Sequence, residues 1–360
     1  MASYKDTLVS ASEAKEGIKY YCPLCKEALI LKRGDVNTPH FAHYQNSKCL
    51  IAMEDGESNE HLMGKEQLLN FIDKRNTHVE KYLPAINQRP DLMYQRIAFE
   101  FQCSPISRKR LRQRIEGYHQ VHMKSLWILG SNYRKRFGSD SVNKFYYYID
   151  SIGFTIFFWL VNERKLEVRY NCQYVCGKLK YQRILLNKLS ELIIFIHNPK
   201  TILKYHSSMH GVISQLTKIE NQIFYHNQQM LKWQNVCYNQ HHNISGAPFV
   251  CDIKQVTNPI VGRNFLIWKI LIVSSIKENA RLLDVYEFAN QMVGIKFDYP
   301  LVNNAKDYVK NEFKLLIKRL ITRKIIQVKN GRFHLIRQIK WFEDYYQKLN
   351  ELSTQNNTIF

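Results

Sequence analysis

The sequence predicts an α/β core that is preceded by a small module rich in cysteine and histidine and followed by a mainly helical region. Cysteine and histidine residues cluster within residues 1–55. Residues 56–135 then show the order helix, three strands, helix, strand, which is typical of an α/β unit. Residues 136–360 begin with aromatic, strand-like runs and continue with helical periodicity. A chain of 360 residues suits two or three domains, so we divide it at these changes of pattern.

The composition indicates a globular protein with a polyanionic partner. Hydrophobic residues make up 45% of the chain, which is enough for a packed core. The 52 Lys and Arg residues outnumber the 31 Asp and Glu residues and leave a net charge of +21, which attracts nucleic acid. A lysine-rich proteome would raise the charge in the same way without such a partner.

The sequence also predicts a cytoplasmic protein without a membrane span. The segment Met1 to Lys15 is polar and mixed in charge, unlike an export signal. The longest apolar runs, near Ile152–Val161 and Phe265–Val273, are too short to cross a bilayer. Because thiols stay reduced in the cytoplasm, we expect the eight cysteines to be metal ligands or core residues.

A structural zinc site is predicted in the first module. Cys22 and Cys25 stand three residues apart, so a turn can present both sulfurs to one ion. On an extended strand His40 and His43 point to opposite faces, so only one of them is expected to bind. The preferred ligand set is Cys22, Cys25, His43 and Cys49, and the alternative replaces Cys49 with His40. Two buried thiols beside surface histidines are the simpler interpretation.

Two acidic residues of the α/β unit form a candidate site for Mg²⁺ or Mn²⁺. Side chains alternate along the predicted strand Ile97–Gln102, so Glu100 and Gln102 share one face. If Asp91 lies at a strand end beside Glu100, two carboxylates converge on one hard cation. Such a cation can activate water and stabilise the charge that develops on a phosphodiester. A half-exposed edge strand is the simpler interpretation.

Two helices of the α/β unit add polar candidates. His61 and Lys65 lie four residues apart on one helical face, Glu60 adjoins them, and all three are expected to support catalysis or phosphate contact. The second helix, Ser107–Gln120, is strongly basic and is expected to turn its arginines toward a DNA backbone. A solvated charged face is the alternative. The arginines are Arg108, Arg110, Arg112 and Arg114.

Beyond residue 136 the pattern predicts strands first and helices later. Helix is predicted from Tyr181 to about Leu231 with a break at Pro199, and again from Asn264 to Val293. A helix at Ala305–Thr322 precedes an Asn330-Gly331 turn between two apolar runs, which indicates a hairpin. Residues 283–340 therefore form either a winged-helix-like tip or an ordinary helix and hairpin. The predicted strands are Phe145–Ile149, Phe154–Val161 and Leu166–Tyr170.

The chain resembles the competence protein CoiA family in a set of motifs that follow family order across about residues 20–130. The resemblance implies a nuclease-like domain of the restriction-endonuclease (PD-(D/E)xK) superfamily. It also implies a role in natural transformation, in which imported single-stranded DNA is processed or recombined in the cytoplasm, with recombination proteins as partners. The motifs are Tyr21-Cys22-Pro23-Leu24-Cys25, Pro39-His40-Phe41-Ala42-His43, Gly56-Glu57-Ser58-Asn59-Glu60-His61 with Lys65, Arg89-Pro90-Asp91, Phe99-Glu100-Phe101-Gln102-Cys103-Ser104 and Trp127-Ile128-Leu129-Gly130.

Gln102 departs from the superfamily pattern, which usually has lysine at this position. Glutamine cannot carry a charge, although its amide can position water and Lys65 can supply the cation. Three hypotheses follow. The first is a metal-dependent DNA nuclease in which Asp91 and Glu100 bind the metal and Gln102 positions water. The others are a non-catalytic DNA-binding recombination accessory protein and a zinc-dependent DNA-binding regulator.

Overall fold

The N-terminal strands form a small antiparallel sheet. A computed structural model describes residues 2–4, 7–9, 11, 13–22, 25–34, 39–44, 58–199 and 201–354 of the chain. The strands of this sheet are β1 (Ala2–Tyr4), β2 (Thr7–Val9), β3 (Tyr20–Tyr21), β4 (Ala28–Lys32) and β5 (His40–His43), and their order is β2-β1-β3-β4-β5. The buried Tyr20 ring lies 5.8 Å from that of Tyr4 and 5.0 Å from that of Phe41. This core is small, and few apolar contacts stabilise the module.

A larger mixed sheet forms the centre of the chain. Its main path runs in the order β13-β12-β11-β9-β8-β7-β6, while β10 pairs with β11 and β14 pairs with β12. Strand β9 is parallel to β8 and to β11, and the remaining pairs are antiparallel. The strands are β6 (Thr77–Val79), β7 (Leu92–Tyr94), β8 (Ile97–Gln102), β9 (Lys124–Leu129), β10 (Tyr147–Ile149), β11 (Gly153–Leu160), β12 (Lys165–Val175), β13 (Lys178–Leu186) and β14 (Val256–Thr257).

Helices cover both faces of the sheet around β8. Since side chains alternate along a strand, successive residues of β8 face different helices. The helices of this part are α1 (Asn59–Ile72), α2 (Arg108–Gln120) and the short α3 (Ser131–Lys135) and α4 (Asp140–Asn143). Phe101 is buried in one cluster with Phe71 of α1. Ala98 is buried in another cluster with Tyr118 of α2, and Glu100 contacts the same tyrosine. The carboxylate of Glu100 therefore lies on the α2 side of the strand.

The predicted order of helix, three strands, helix and strand is confirmed between residues 59 and 129. The helix predicted from Tyr181 is wrong at its start, because residues 178–186 form β13 and pair with β12. Cys176 and Gly177 have φ values of 46° and 72°, so they make the tight hairpin turn that brings β13 back onto the sheet. The sheet also continues beyond residue 135, the predicted end of the α/β unit, since β9 pairs with β11.

The rest of the described chain is mainly helical, as predicted. Trp268 and Ile270 are completely buried in the core that these helices share. Within this core Lys348 Nζ lies 2.8 Å from Asp252 Oδ2, and both side chains are fully buried. Among the described residues, no helix has both the length and the apolar character needed to cross a bilayer. The elements are α5 (Leu189–His197), α6 (Met209–Phe224), α7 (Gln228–Tyr238), α8 (Phe249–Asp252), α9 (Phe265–Ser275), α10 (Leu282–Val293), α11 (Ala305–Thr322), β15 (Ile326–Lys329), β16 (Arg332–Leu335) and α12 (Tyr345–Thr354).

Candidate metal centre and candidate active site

Three of the predicted zinc ligands lie together at one end of the N-terminal sheet. Cys22 follows β3, and the turn that leads to β4 is closed by hydrogen bonds from the Lys26 amide to the Cys22 carbonyl oxygen and from the Cys22 amide to the Glu27 carbonyl oxygen. Strand β5 pairs with β4 so that His43 lies opposite Leu29, close to that turn. The ligand atoms of Cys22, Cys25 and His43 all lie within 4.8 Å of one another.

The geometry of this group suits a tetrahedral metal site. Cys25 Sγ lies 3.3 Å from His43 Nε2, while two ligands of one tetrahedral zinc ion are separated by about 3.5 Å. His40, at the other end of β5, is not part of the group. The fourth preferred ligand, Cys49, lies outside the described residues. The cluster could hold a metal ion such as zinc.

Asp91 and Glu100 are brought together by the pairing of β7 with β8. Leu92 lies opposite Phe99 in this antiparallel pair, so the residue before Leu92 meets the residue after Phe99. The Phe101 amide donates a hydrogen bond of 2.7 Å to Asp91 Oδ2, which fixes the aspartate against the end of β8. The expectation that Asp91 stands at a strand end beside Glu100 agrees with this placement.

Helix α1 supplies the immediate neighbours of Asp91. His61 Nε2 lies 3.3 Å from Asp91 Oδ2. Burial opposes ionisation of Asp91, but the hydrogen bond and charge of His61, together with the charge of Lys65, outweigh it and lower the pKa of this carboxyl. Asp91 is therefore held as an anion in a largely buried place.

Helix α2 supplies the neighbours of Glu100, which is only 4% exposed. Arg114 Nη2 donates to Glu100 Oε1 over 2.5 Å, and the Tyr118 hydroxyl donates to the same oxygen. Burial and the nearby Asp91 carboxylate raise the pKa of Glu100 to about 7, against the opposing charge of Arg114. The Asp91 carboxylate thus lies close enough to act on the charge of Glu100.

A second ion-pair group, which sequence reasoning missed, lies beside Asp91. Lys65 Nζ is 2.5 Å from Glu80 Oε1, and Arg89 Nη1 is 3.4 Å from Glu80 Oε2. Burial opposes ionisation of Glu80, but Lys65 and Arg89 outweigh it and lower its pKa. Glu80 joins the end of β6 to α1 across 15 residues, and no local spacing in the sequence indicates that contact.

Gln102 and Glu60 point to other partners. The Gln102 amide donates to the carbonyl oxygen of Ser104 over 2.8 Å. Glu60 accepts hydrogen bonds from the Ser131 amide and hydroxyl, at 2.6 and 2.9 Å. A Cβ atom at Gly130 would lie only 3.0 Å from Glu60 Oε1, so the glycine leaves room for this contact. Glu60 thus fastens α1 to the start of α3.

The four arginines of α2 divide into three environments. Arg114 is turned inward to Glu100, as described above. Arg108 bonds to Asp140 over 2.8 Å and to the Asp298 carbonyl oxygen, and Arg112 pairs with the Asp298 carboxylate. Arg110 is exposed, and among the described residues no ion pair includes it. Only part of the predicted basic face is therefore turned to solvent.

The arrangement combines two adjacent carboxylates with basic side chains on both sides of β8. Asp91 uses Oδ2 and Glu100 uses Oε1 in the contacts given above. The second oxygen of each carboxylate takes part in no hydrogen bond within the described part of the chain. Paired carboxylate oxygens are the ligands that hard divalent cations prefer. Nearby lysine and arginine side chains can balance the charge of a bound phosphate.

Two family models match the chain in succession. Residues 4–52 match the model described as competence protein CoiA, N-terminal domain, and residues 57–149 match competence protein CoiA, nuclease-like domain. The curated competence protein CoiA of Bacillus subtilis (strain 168) is 38% identical over 128 residues, which are 34% of this chain and 34% of that protein. The chain thus covers about a third of the length of that relative. No solved structure is significantly similar to the chain.

Proposed function

Because residues 4–52 and 57–149 belong to the competence protein CoiA family, we propose that this chain is a divalent-metal-dependent deoxyribonuclease that acts on DNA taken up during natural competence. The proposal includes a restriction-endonuclease-like (PD-(D/E)xK) core within residues 56–135. The observation that carries it is the juxtaposition of Asp91, directly before β7, and Glu100 of the neighbouring β8, with basic residues of α1 and α2 around them. A purely structural ion pair would not need a buried and a half-buried carboxylate beside each other.

Asp91 and Glu100 would hold the metal through Asp91 Oδ1 and Glu100 Oε2, the oxygens that the described hydrogen bonds leave available. A Mg²⁺ or Mn²⁺ ion bound there would lower the pKa of a bound water and stabilise negative charge on the phosphodiester. The low pKa of Asp91 suits this role, since the ligand is already ionised. Oxygen donors of this kind match both metals.

The other polar residues would hold the site and the substrate. His61 fixes Asp91 Oδ2, and Lys65 supplies positive charge close to the scissile phosphate. Gln102 Oε1 is available to accept a hydrogen bond from the attacking water, since the amide nitrogen is the atom bonded to Ser104. Glu60 acts at a distance by joining α1 to α3.

The N-terminal module would bind zinc as a structural ion through Cys22, Cys25, His43 and Cys49. Four protein ligands leave no position for substrate, so the metal would stabilise the fold and take no part in cleavage. DNA would approach the exposed basic residues of α2, such as Arg110. We propose single-stranded DNA as the substrate, recombination proteins as partners and the cytoplasm as the location.

One observation favours a second function, that of a non-catalytic DNA-binding accessory protein. Glu100 already has two hydrogen-bond donors in Arg114 and Tyr118, and Gln102 replaces the usual lysine. A site in which Arg114 balances the charge of Glu100, and in which position 102 has no lysine, could bind DNA without cutting it. The same geometry would then serve to hold the phosphate backbone.

Cleavage of labelled single-stranded and duplex DNA with Mn²⁺ or Mg²⁺ tests the nuclease. The wild-type chain is compared with Glu100→Gln, which keeps the shape of the side chain, and with Glu116→Gln, an exposed position on α2. We expect metal-dependent cleavage by wild type and Glu116→Gln, at least about 100-fold slower cleavage by Glu100→Gln, and equal DNA binding by all three. Absence of cleavage by the wild-type chain on every substrate, with salt-sensitive binding retained, would support the accessory role instead.

A further inference from the structure

Three helices and a hairpin near the end of the described chain follow one another in the order of a winged helix. The order is α9, a short extended segment, α10, α11 and the hairpin β15–β16. The extended segment pairs with the hairpin, because Arg281 lies opposite Arg332. Backbone hydrogen bonds from Asn279 to Phe333 and from Phe333 to Ala280, both 2.9 Å, continue this pairing. An ordinary helix followed by a hairpin would not need this third extended segment.

The three helices pack around one shared core. Trp268 of α9 donates a hydrogen bond of 2.8 Å to Asn290 of α10. The Phe313 ring of α11 lies 6.4 Å from the Trp268 ring and 5.1 Å from the Tyr286 ring of α10. The inner face of α11 is therefore fixed, and its outer face is the one presented to solvent.

The hairpin forms a short, ordered wing. Asn330 and Gly331 have φ values of 50° and 70°, as a two-residue hairpin turn requires. Glu278 accepts hydrogen bonds from the His334 ring and from the Leu335 amide, at 2.9 and 2.8 Å. These contacts hold the base of the wing against the segment between α9 and α10.

The outer face of α11 carries a row of lysines at intervals of four residues. All of them are exposed, and among the described residues no ion pair includes any of them. Asp307 is the exposed acid of this helix, while Glu312 is turned to Thr257, from which it accepts a hydrogen bond of 3.1 Å. Four-residue intervals place the amines about 6 Å apart along the helix. The lysines are Lys306, Lys310, Lys314 and Lys318.

We propose that residues 265–335 form a winged-helix module that binds duplex DNA, with α11 in the major groove and the wing along the backbone. An α-helix fits the width of the major groove, and a row of unpaired lysines complements the phosphates along its edge. This site is separate in sequence from Asp91 and Glu100. The module would let the chain hold a duplex while residues 56–135 act on a single strand. Duplex binding by the module does not depend on whether residues 56–135 cut DNA.

Binding to a labelled duplex of about 20 base pairs, close to two helical turns, tests this proposal. The full chain carries Glu100→Gln so that cleavage cannot interfere, and the buffer contains no added Mg²⁺ or Mn²⁺. The test variant adds Lys310→Gln, Lys314→Gln and Lys318→Gln. The matched control adds Lys178→Gln, Lys180→Gln and Lys188→Gln, which remove the same charge from exposed positions on and just after β13.

We expect the test variant to bind the duplex at least about tenfold more weakly. The slope of the logarithm of the binding constant against the logarithm of the salt concentration should fall in magnitude by about 2 to 3. The control should change the Kd less than about twofold, and single-stranded DNA should be affected less than duplex. Equal weakening by both triple variants would show a general charge effect and overturn the proposal, as would an unchanged Kd in the test variant. Failure of the nuclease proposal would instead appear as absence of cleavage by wild type, with this binding difference intact.

Discussion

Gly64 lets α1 approach β8 closely, and Gly64→Ala should therefore damage the candidate active site. An ideal Cβ atom at this position would lie 2.1 Å from Cε1 of the Phe101 ring. Ordinary van der Waals contact begins at 3.4 Å, so the helix or the ring must move by about 1.3 Å. Phe101 is buried and precedes Gln102, while His61 and Lys65 flank the glycine on α1.

The expected loss of stability follows from two opposing contributions. Overpacking a buried contact costs about 1–3 kcal/mol. Replacing glycine by alanine inside a helix returns about 0.5–1 kcal/mol. We expect Gly64→Ala to lower the free energy of unfolding by about 1–2 kcal/mol, measured by urea denaturation. A shift of about 1 Å in His61 and Lys65 should also slow metal-dependent cleavage by at least about tenfold.

Gly117→Ala in α2 is the matched control for this prediction. Its Cβ atom would meet Gln88 Nε2 at 2.1 Å, but this is the end of a flexible side chain that can turn away. The control should leave stability unchanged or raise it by up to about 1 kcal/mol. If Gly64→Ala were as stable and as active as Gly117→Ala, the close approach of α1 to β8 would not be what positions His61 and Lys65.

Two further predictions concern the metal cluster and the buried C-terminal ion pair. Cys25→Ser should abolish stoichiometric zinc binding, measured by elemental analysis, and lower the unfolding midpoint, whereas His40→Ala should retain the zinc. Lys348→Met should destabilise the chain by about 3–5 kcal/mol, because Asp252 is left buried without its partner, and Lys348→Met with Asp252→Leu should recover most of this loss. Burial raises the pKa of Asp252, so the buried carboxylate destabilises the fold when it is charged. At acidic pH it becomes protonated, and the loss of stability in Lys348→Met, measured by urea denaturation, should therefore shrink.

Local patterns in the sequence were sufficient to predict much of the fold and the residues that come together within a few positions. The alternation in Ile97–Gln102 predicts β8 with its observed bounds, and the helical spacing predicts α11 with its observed bounds. The helix prediction is wrong for residues 181–186 because a strand at the sheet margin has mixed polarity, and only pairing with β12 decides its conformation.

Long-range contacts determine several features of the site that local patterns in the sequence do not predict. Glu80 bonds to Lys65 across 15 residues, and the basic pattern of α2 does not show that Arg114 turns inward while Arg110 turns outward. The difference arises because α2 packs its buried face, with Leu111 and Tyr118, on the sheet, and Arg114 lies beside that face. A helix-wide count of arginines therefore overestimates the surface available to DNA.

The position of Arg114 also bears on the role of Gln102. A lysine on β8 would place one positive charge on the same strand as Glu100. Here the charge beside Glu100 comes from Arg114 of α2, and the charge beside Asp91 comes from Lys65 of α1. Each acid is thus balanced by a different helix, and Gln102 is left to act through hydrogen bonds alone. If the proposed nuclease is active, its dependence on charge should therefore lie in Lys65 and Arg114, on the flanking helices.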